Sequence, residues 1–308
     1  MKKVVITGAD GFVGSYTVKC FLKNNIGVVA LDLAEKPARL EQHPLLTYKN
    51  CDVFQSDALK KAIEDESCDT FIHFAWAGSA GPGRMDYNLQ MKNALNTVES
   101  LKIAKQCGCK RFLGAGSIME YEVEAVVHQQ GNKPSMAYLY GMGKHIAHSM
   151  CKPIAAAEGI DLLWPMITNA YGVGELSPRF INTTLRKIIH GEPLEFTAAT
   201  QNYDFVYVED VAKAFYLIAE KGRPFCQYMI GSGRAGMLRE FIVALRDATS
   251  PDTPLKFGDI PFTGVNMSLQ VFSTYDIEKD CGYQPEVSFE EGVKRTMDWL
   301  KTMEESDI

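Results

Sequence analysis

The stretch VVITGADGFVGS, Val4 to Ser15, decides the fold. Four apolar or small residues run into a glycine, and two more glycines follow, giving Gly8, Gly11 and Gly14 at three-residue spacing. A short apolar run bounded by a turn signal reads as a buried strand, and the residues from Phe12 onward read as the start of a helix. The first glycine permits a sharp turn, and the second lets the backbone come close to a pyrophosphate. The third lets helix and strand pack tightly. A helix N-terminus then offers unpaired N–H groups to the anion. Asp32 ends the next apolar run, 18 residues after Gly14. Its carboxylate can accept hydrogen bonds from an adenosine ribose and would repel a 2′-phosphate. Strand, glycine turn, helix and acid together point to a bound dinucleotide, NAD in preference to NADP. Arg39 nearby leaves the second open, and a glycine-rich turn without cofactor is the plainer alternative.

Working outward, the same alternation continues. KVVITG (3–8), GVVALDL (27–33), DTFIHFA (69–75), KRFLGAG (110–116) and DLLWPMI (161–167) read as strands, and Asn88–Gln106 and Ala137–Glu158 as helices between them. Near-continuous apolar strands separated by helices imply a parallel sheet covered on both faces, and right-handed crossovers make it doubly wound. The expected fold is α/β: a Rossmann-type doubly wound parallel sheet with a smaller C-terminal α/β substrate domain. The dinucleotide domain is expected to take residues 1–168 and about 204–232, and the substrate domain 169–203 and 233–308. Turn signals SPDTP (250–254) and GDIPFTG (258–264) and a final helix around Phe289–Met303 belong to the latter.

A chain of 308 residues, 46% hydrophobic and 23% charged, has the composition of a soluble globular protein with a sizeable core. No apolar run approaches the roughly 20 residues of a membrane span, and the N-terminal apolar run is too short for a signal-peptide core. The net charge of −6 gives no support for nucleic-acid binding. Eight cysteines are scattered, the nearest pair being Cys107 and Cys109, and read as reduced thiols in a cytoplasmic setting. His145 and His148 stand at helical i, i+3 spacing, but with His73 they find no carboxylate or cysteine set to complete a metal site.

YLYGMGKH, Tyr138 to His145, carries the chemistry. A free tyrosine hydroxyl ionises only near pH ~10, so a tyrosine that handles protons at neutral pH needs a neighbouring cation. Tyr140 and Lys144 are four apart and share one helix face, whereas Tyr138 points elsewhere. An adjacent ammonium, with the positive charge of an oxidised nicotinamide, favours phenolate. Ser117 in GAGSIMEY falls at the carboxyl edge of the sheet, where ligands of such folds bind.

These residues resemble the extended short-chain dehydrogenase/reductase superfamily, specifically its NAD-dependent epimerase/dehydratase family, over essentially the whole chain. TGADGFVG, with Phe12 and Val13 inside it, is similar to the family's cofactor loop. CDV, with Asp52 and Val53, resembles its adenine-contacting pair. HFAWAG, with Phe74, Ala75 and Trp76, resembles its fourth-strand motif, and Asn93 with Thr97 its N-x-x-x-T helix. Trp76 stands where relatives usually have alanine; it reads equally as a wall of the nicotinamide pocket or as core. Ser117, Tyr140 and Lys144 fit the Ser/Tyr/Lys trio, NAYG (169–172) the substrate edge, and DFVYVEDVAKAF (204–215) a later strand-helix unit.

The resemblance implies a nucleotide-sugar substrate, with Tyr140 taking a hydroxyl proton while hydride leaves C4. It also implies a homodimer built through Asn88–Gln106 and Ala137–Glu158. Sugar 4,6-dehydratases carry acids one and two places after the serine or threonine; here those places hold Ile118 and Met119, with Glu120 one later. A 4-epimerase is therefore expected, with a 4-keto-6-deoxyhexose reductase similar to CDP-abequose synthases as the alternative and a non-catalytic NAD sensor as a third. Three cations usual in relatives are missing: Tyr203, Phe262 and Met166 occupy those places. Asn169 and Tyr203 remain expected at the substrate, with Arg179, Arg186 and Lys187 as candidates for the diphosphate or as a solvated helix face.

Overall fold

Each strand of the N-terminal half alternates its side chains between two apolar layers, and that alternation builds a covered sheet. The computed structural model describes residues 1–262 and 264–305. Thr263 of the GDIPFTG turn and the last three residues of the expected substrate domain lie outside the described residues. In chain order the first half runs β1 (Lys3–Thr7), α1 (Phe12–Lys23), β2 (Gly27–Asp32), β3 (Leu46–Asn50), α2 (Ser56–Ile63), β4 (Thr70–His73) and α3 (Tyr87–Gln106). It continues with β5 (Arg111–Gly114), β6 (Gly116–Ser117), α4 (Met119–Val126), α5 (Leu139–Glu158) and β7 (Asp161–Ile167). Then come β8 (Asn169–Tyr171), α6 (Phe180–Ile189), β9 (Leu194–Phe196), β10 (Asn202–Tyr203), β11 (Phe205–Tyr207), α7 (Val208–Lys221) and β12 (Gln227–Ile230). The chain closes with β13 (Gly236–Met237), α8 (Leu238–Thr249), β14 (Leu255–Phe257), α9 (Tyr275–Cys281) and α10 (Phe289–Glu305).

The main sheet is parallel, in the order β12-β7-β5-β4-β1-β2-β3, with β6 added beside β7. Strand order reverses between β1 and β4, and that switch point is where α/β sheets bind ligands. Val5, Val29, Phe71 and Phe112 point to one face and pack with α2, α3 and α5. Val4, Ile6, Val28, Ile72 and Leu113 point to the other and pack with α1 and α7. A side-chain period of two explains the split, and burial of both faces explains why these strands read as near-continuous apolar runs. A third apolar cluster joins α6, β9, α8 and α10 above the carboxyl edge. The doubly wound α/β fold expected from the sequence is what the chain adopts.

The differences are at the edges. β3, LTYKN, is a half-exposed edge strand, so its polar sequence carries no burial signal. Ser117 is not the end of β5: the chain breaks at Ala115 and resumes as β6, pairing Ser117 with Ile167 of β7. Pro165 of β7 falls opposite that break, a place where an interior proline costs least. The helix expected from Ala137 begins as a 3₁₀ turn, Met136–Tyr138, and becomes α-helical at Leu139.

Candidate active site

A cleft of about 510 Å³ opens at the carboxyl ends of β1 and β4. Gly8 holds a positive φ of 65°, and a Cβ there would lie 2.8 Å from the amide nitrogen of Ala75. A Cβ on Gly14 would lie 2.0 Å from the Gly8 carbonyl oxygen, so α1 can start beneath the loop only without a side chain there. No side chain caps α1, and Gly11, Phe12, Val13 and Gly14 line the cleft at its N-terminus, an arrangement suited to a pyrophosphate. Asp32 lines the same cleft and accepts 2.8 Å bonds from the amides of Asp10 and Leu33. These two backbone donors fix the orientation of the carboxylate and leave lone pairs for ribose hydroxyls. Arg39 does not line the cleft; its Nη1 donates to the Gly174 carbonyl at 2.6 Å. Asp52, Val53, Phe74, Ala75 and Trp76 complete this wall. These donors and this cradle fit NAD.

Ser117, Tyr140 and Lys144 all line the cleft too. Tyr140 and Lys144 lie one turn apart on α5, only 9% and 5% exposed. The Ala115 carbonyl, at the break between β5 and β6, accepts from Lys144 Nζ at 2.8 Å. The same ammonium sits 3.6 Å from the centroid of the Trp76 ring. Burial pushes the Lys144 pKa down to about 7, while the charge of Glu120 works against the shift. Trp76 is thus cleft wall and packed ring at once: its edge meets Tyr140 at 6.1 Å between centroids. Its Nε1 donates to Gln90 Oε1 at 2.8 Å. Gln90 in turn donates to the carbonyls of Gly78 and Gly83 and so pins the loop after β4.

Asn93 departs from the expectation. It does not line the cleft; its amide donates to the Ala77 carbonyl at 2.8 Å and accepts from the Ala77 amide at 2.9 Å. Held to the Ala77 backbone and absent from the cleft lining, Asn93 shapes the wall from behind. His73 is fully buried, its Nδ1 2.9 Å from Thr7 Oγ1, and burial drives its pKa down to about 3, so it is neutral. His145 faces Glu124 at 3.8 Å.

Beside the cleft a second cavity of about 250 Å³ shares Ala80, Ala170, Glu175 and Arg179 with it. Asn169, Tyr203 and Arg179, all expected at the substrate, line this cavity. Asn169 is fixed by a 2.9 Å bond to the Asp204 carbonyl, and Arg179 lies 3.6 Å from Glu175. Arg186 and Lys187 line neither space. Arg84, unforeseen from the sequence, does: it comes from the 3₁₀ turn Gly81–Met85, and its guanidinium carbon lies 4.5 Å above the Tyr140 ring. The signal was a glycine-proline turn bearing an arginine just past the carboxyl end of β4.

Residues 4–231 match the model of the NAD dependent epimerase/dehydratase family. The chain belongs to that family. It is 24% identical to an Arabidopsis thaliana trifunctional UDP-glucose 4,6-dehydratase/3,5-epimerase/reductase over 97% of this chain and 47% of that protein, so it spans about half that relative's length. It is 20% identical to CDP-abequose synthase of Salmonella typhimurium over 96% of this chain and 97% of that one. Its fold matches UDP-glucose 4-epimerase of Thermotoga maritima with a TM-score of 0.81 at 20% identity, covering 98% and 99% of the two chains. The family's cofactor is NAD, and the non-catalytic sensor considered from the sequence is set aside because the family and these relatives are enzymes.

Glu120, the acid nearest Ser117 in sequence, does not line the cleft. Its Oε1 accepts from the Ser117 amide and from Trp164 Nε1, both at 3.0 Å, and its Oε2 lies 3.1 Å from His148 Nδ1. His148 is stacked on Trp164 at 4.5 Å. The carboxylate braces β6 from behind and faces a separate cavity.

Proposed function

We propose that this protein is a nucleotide-sugar 4-epimerase that moves a proton and a hydride at C4 of the hexose. The observation that carries the reading is that Tyr140, Lys144 and Ser117 reach the same cleft as the glycine loop and Asp32. When bound, NAD supplies a hydride acceptor that can return the hydride to C4. Tyr140 Oη takes the proton of the C4 hydroxyl as the C–H bond breaks, and gives it back as the C–H bond reforms. Lys144, in its ammonium form, stabilises the phenolate and donates to the nicotinamide ribose. Ser117 donates its hydroxyl to the sugar oxygen. Gly8, Gly11, Gly14 and Asp32 hold the dinucleotide. Ile118 and Met119 offer no acid or base for eliminating water, and Glu120 is committed to Ser117, Trp164 and His148. A 4-keto sugar formed here therefore has reduction as its way forward, on the opposite face for epimerisation.

A second reading is net reduction of a ready-made 4-keto-6-deoxyhexose, favoured by the likeness to CDP-abequose synthase along nearly the whole chain. The two part on one measurement. UDP-, dTDP-, CDP- and GDP-hexoses are incubated with the NAD-loaded protein, and products are followed by NMR with the NADH band recorded. An epimerase equilibrates C4 isomers with no net NADH change; a reductase consumes NADH with the keto sugar alone. A 4-keto-6-deoxy product from an unmodified hexose would refute both. Tyr140→Phe should lower turnover roughly 10²–10⁴-fold while NAD binding persists; turnover retained in that variant sinks the assignment. A homodimer is part of the proposal, supported by exposed Tyr87, Met91 and Leu95 at i, i+4, i+8 on α3. A cytoplasmic setting is supported by eight free thiols; among the described residues no helix is long and apolar enough to cross a membrane.

A further inference from the structure

Arg84 is a cation that the scheme above leaves unused. It stands over the face of Tyr140, its guanidinium carbon 4.5 Å from the ring centroid, and lines the side cavity with Arg179, Tyr203 and Asn169. Arg179 has Glu175 at 3.6 Å. Among the described residues no carboxylate lies within ion-pair distance of Arg84; Glu122 is felt only across a longer gap. Glu175 is the one carboxylate lining this cavity, and it is spent on Arg179 and on the amide and hydroxyl of Ser177. The cavity lining therefore carries two guanidinium groups against one carboxylate, with Glu122 acting on Arg84 only from farther off. A half-buried guanidinium is incompletely hydrated, and its planar fork matches the paired oxygens of a phosphate or carboxylate. Stacking on an aromatic face orients the fork without using up its N–H donors.

Building on the nucleotide-sugar reading, we propose that Arg84 is a substrate-anion contact, taking an oxyanion of the bound sugar nucleotide. Two sources share that chemistry. One is the diphosphate, for which Tyr203 on the same cavity supplies no charge. The other is a carboxylate on the hexose, which would lie near the C4 handled by Tyr140.

Calorimetric titration separates them. The NAD-loaded protein and its Arg84→Met and Arg84→Lys variants are titrated with UDP, CDP, dTDP and GDP, then with UDP-glucose and UDP-glucuronate. If Arg84 holds the diphosphate, Arg84→Met weakens the tightest-binding nucleoside diphosphate about tenfold or more, and lysine restores part of it. If it holds a carboxylate, the nucleoside diphosphates are unchanged and UDP-glucuronate loses tenfold relative to UDP-glucose. Unchanged binding of all six in Arg84→Met overturns the contact even if turnover falls. Failure of all six to bind the unaltered protein overturns the nucleotide-sugar reading and the contact with it, whereas loss confined to the variant leaves that reading standing.

Discussion

Lys144 shows how a single residue is made expensive and then useful. An ammonium taken out of water is strongly disfavoured unless it finds partners. Here the partners are one carbonyl, the face of Trp76 and the field of Glu120. With the folded pKa down to about 7 and the unfolded value about 10.4, the unfolded chain binds more protons between those limits. Stability must therefore rise with pH from about 7 towards 10, as the buried charge is relieved. Denaturant unfolding of the cofactor-free protein should show that rise, and Lys144→Met should show markedly less of it across the same range. Equal pH slopes in the two proteins would mean the amine is not the group that titrates. Below that range the ammonium predominates, the form that the proposed proton transfer requires.

At the scale of elements, β6 and the start of α4 are held by a buried carboxylate. Glu120 receives the Ser117 amide, Trp164 Nε1 and His148, so it ties β6, β7 and α5 together behind the cleft. Replacing Glu120 by alanine leaves the first two donors buried without an acceptor. A loss of about 1–3 kcal/mol for each donor left unpaired is expected, read by chemical denaturation, with Ser117 less well placed and kcat reduced more than KM rises. Glu120→Gln keeps an acceptor for Ser117 and Trp164 and should recover much of the stability. A stability unchanged in Glu120→Ala would show that the brace contributes little.

Across the whole molecule, α3 and α5 pack along one another on one face of the sheet and turn their remaining sides outward. Tyr87, Met91 and Leu95 are 61%, 43% and 53% exposed, and Met150 of α5 is 37% exposed. An apolar strip of this kind across two adjacent helices is what a partner surface offers, and a second copy would complete a four-helix layer. Light scattering after gel filtration should give twice the chain mass for the protein and the single-chain mass for the Met91→Glu, Leu95→Arg double variant. A single-chain mass for the unaltered protein would dispose of the dimer.

Much of this protein was fixed by local sequence. The glycine spacing, the apolar runs of β1, β2, β4, β5 and β7, Asp32 at the end of β2, and the one-turn offset of Tyr140 and Lys144 each lie within a window of a few residues, where backbone geometry alone sets which groups meet. Other features depend on neighbours far along the chain. β3 is an edge strand whose pairing with β2, not its composition, makes it a strand. Asn93 faces the Ala77 backbone instead of the cleft, Glu120 turns back to Trp164, and Arg84 crosses to Tyr140. A side chain's direction is chosen by whichever distant donor, acceptor or ring satisfies it at lowest cost, and only packing of the elements brings those partners into reach.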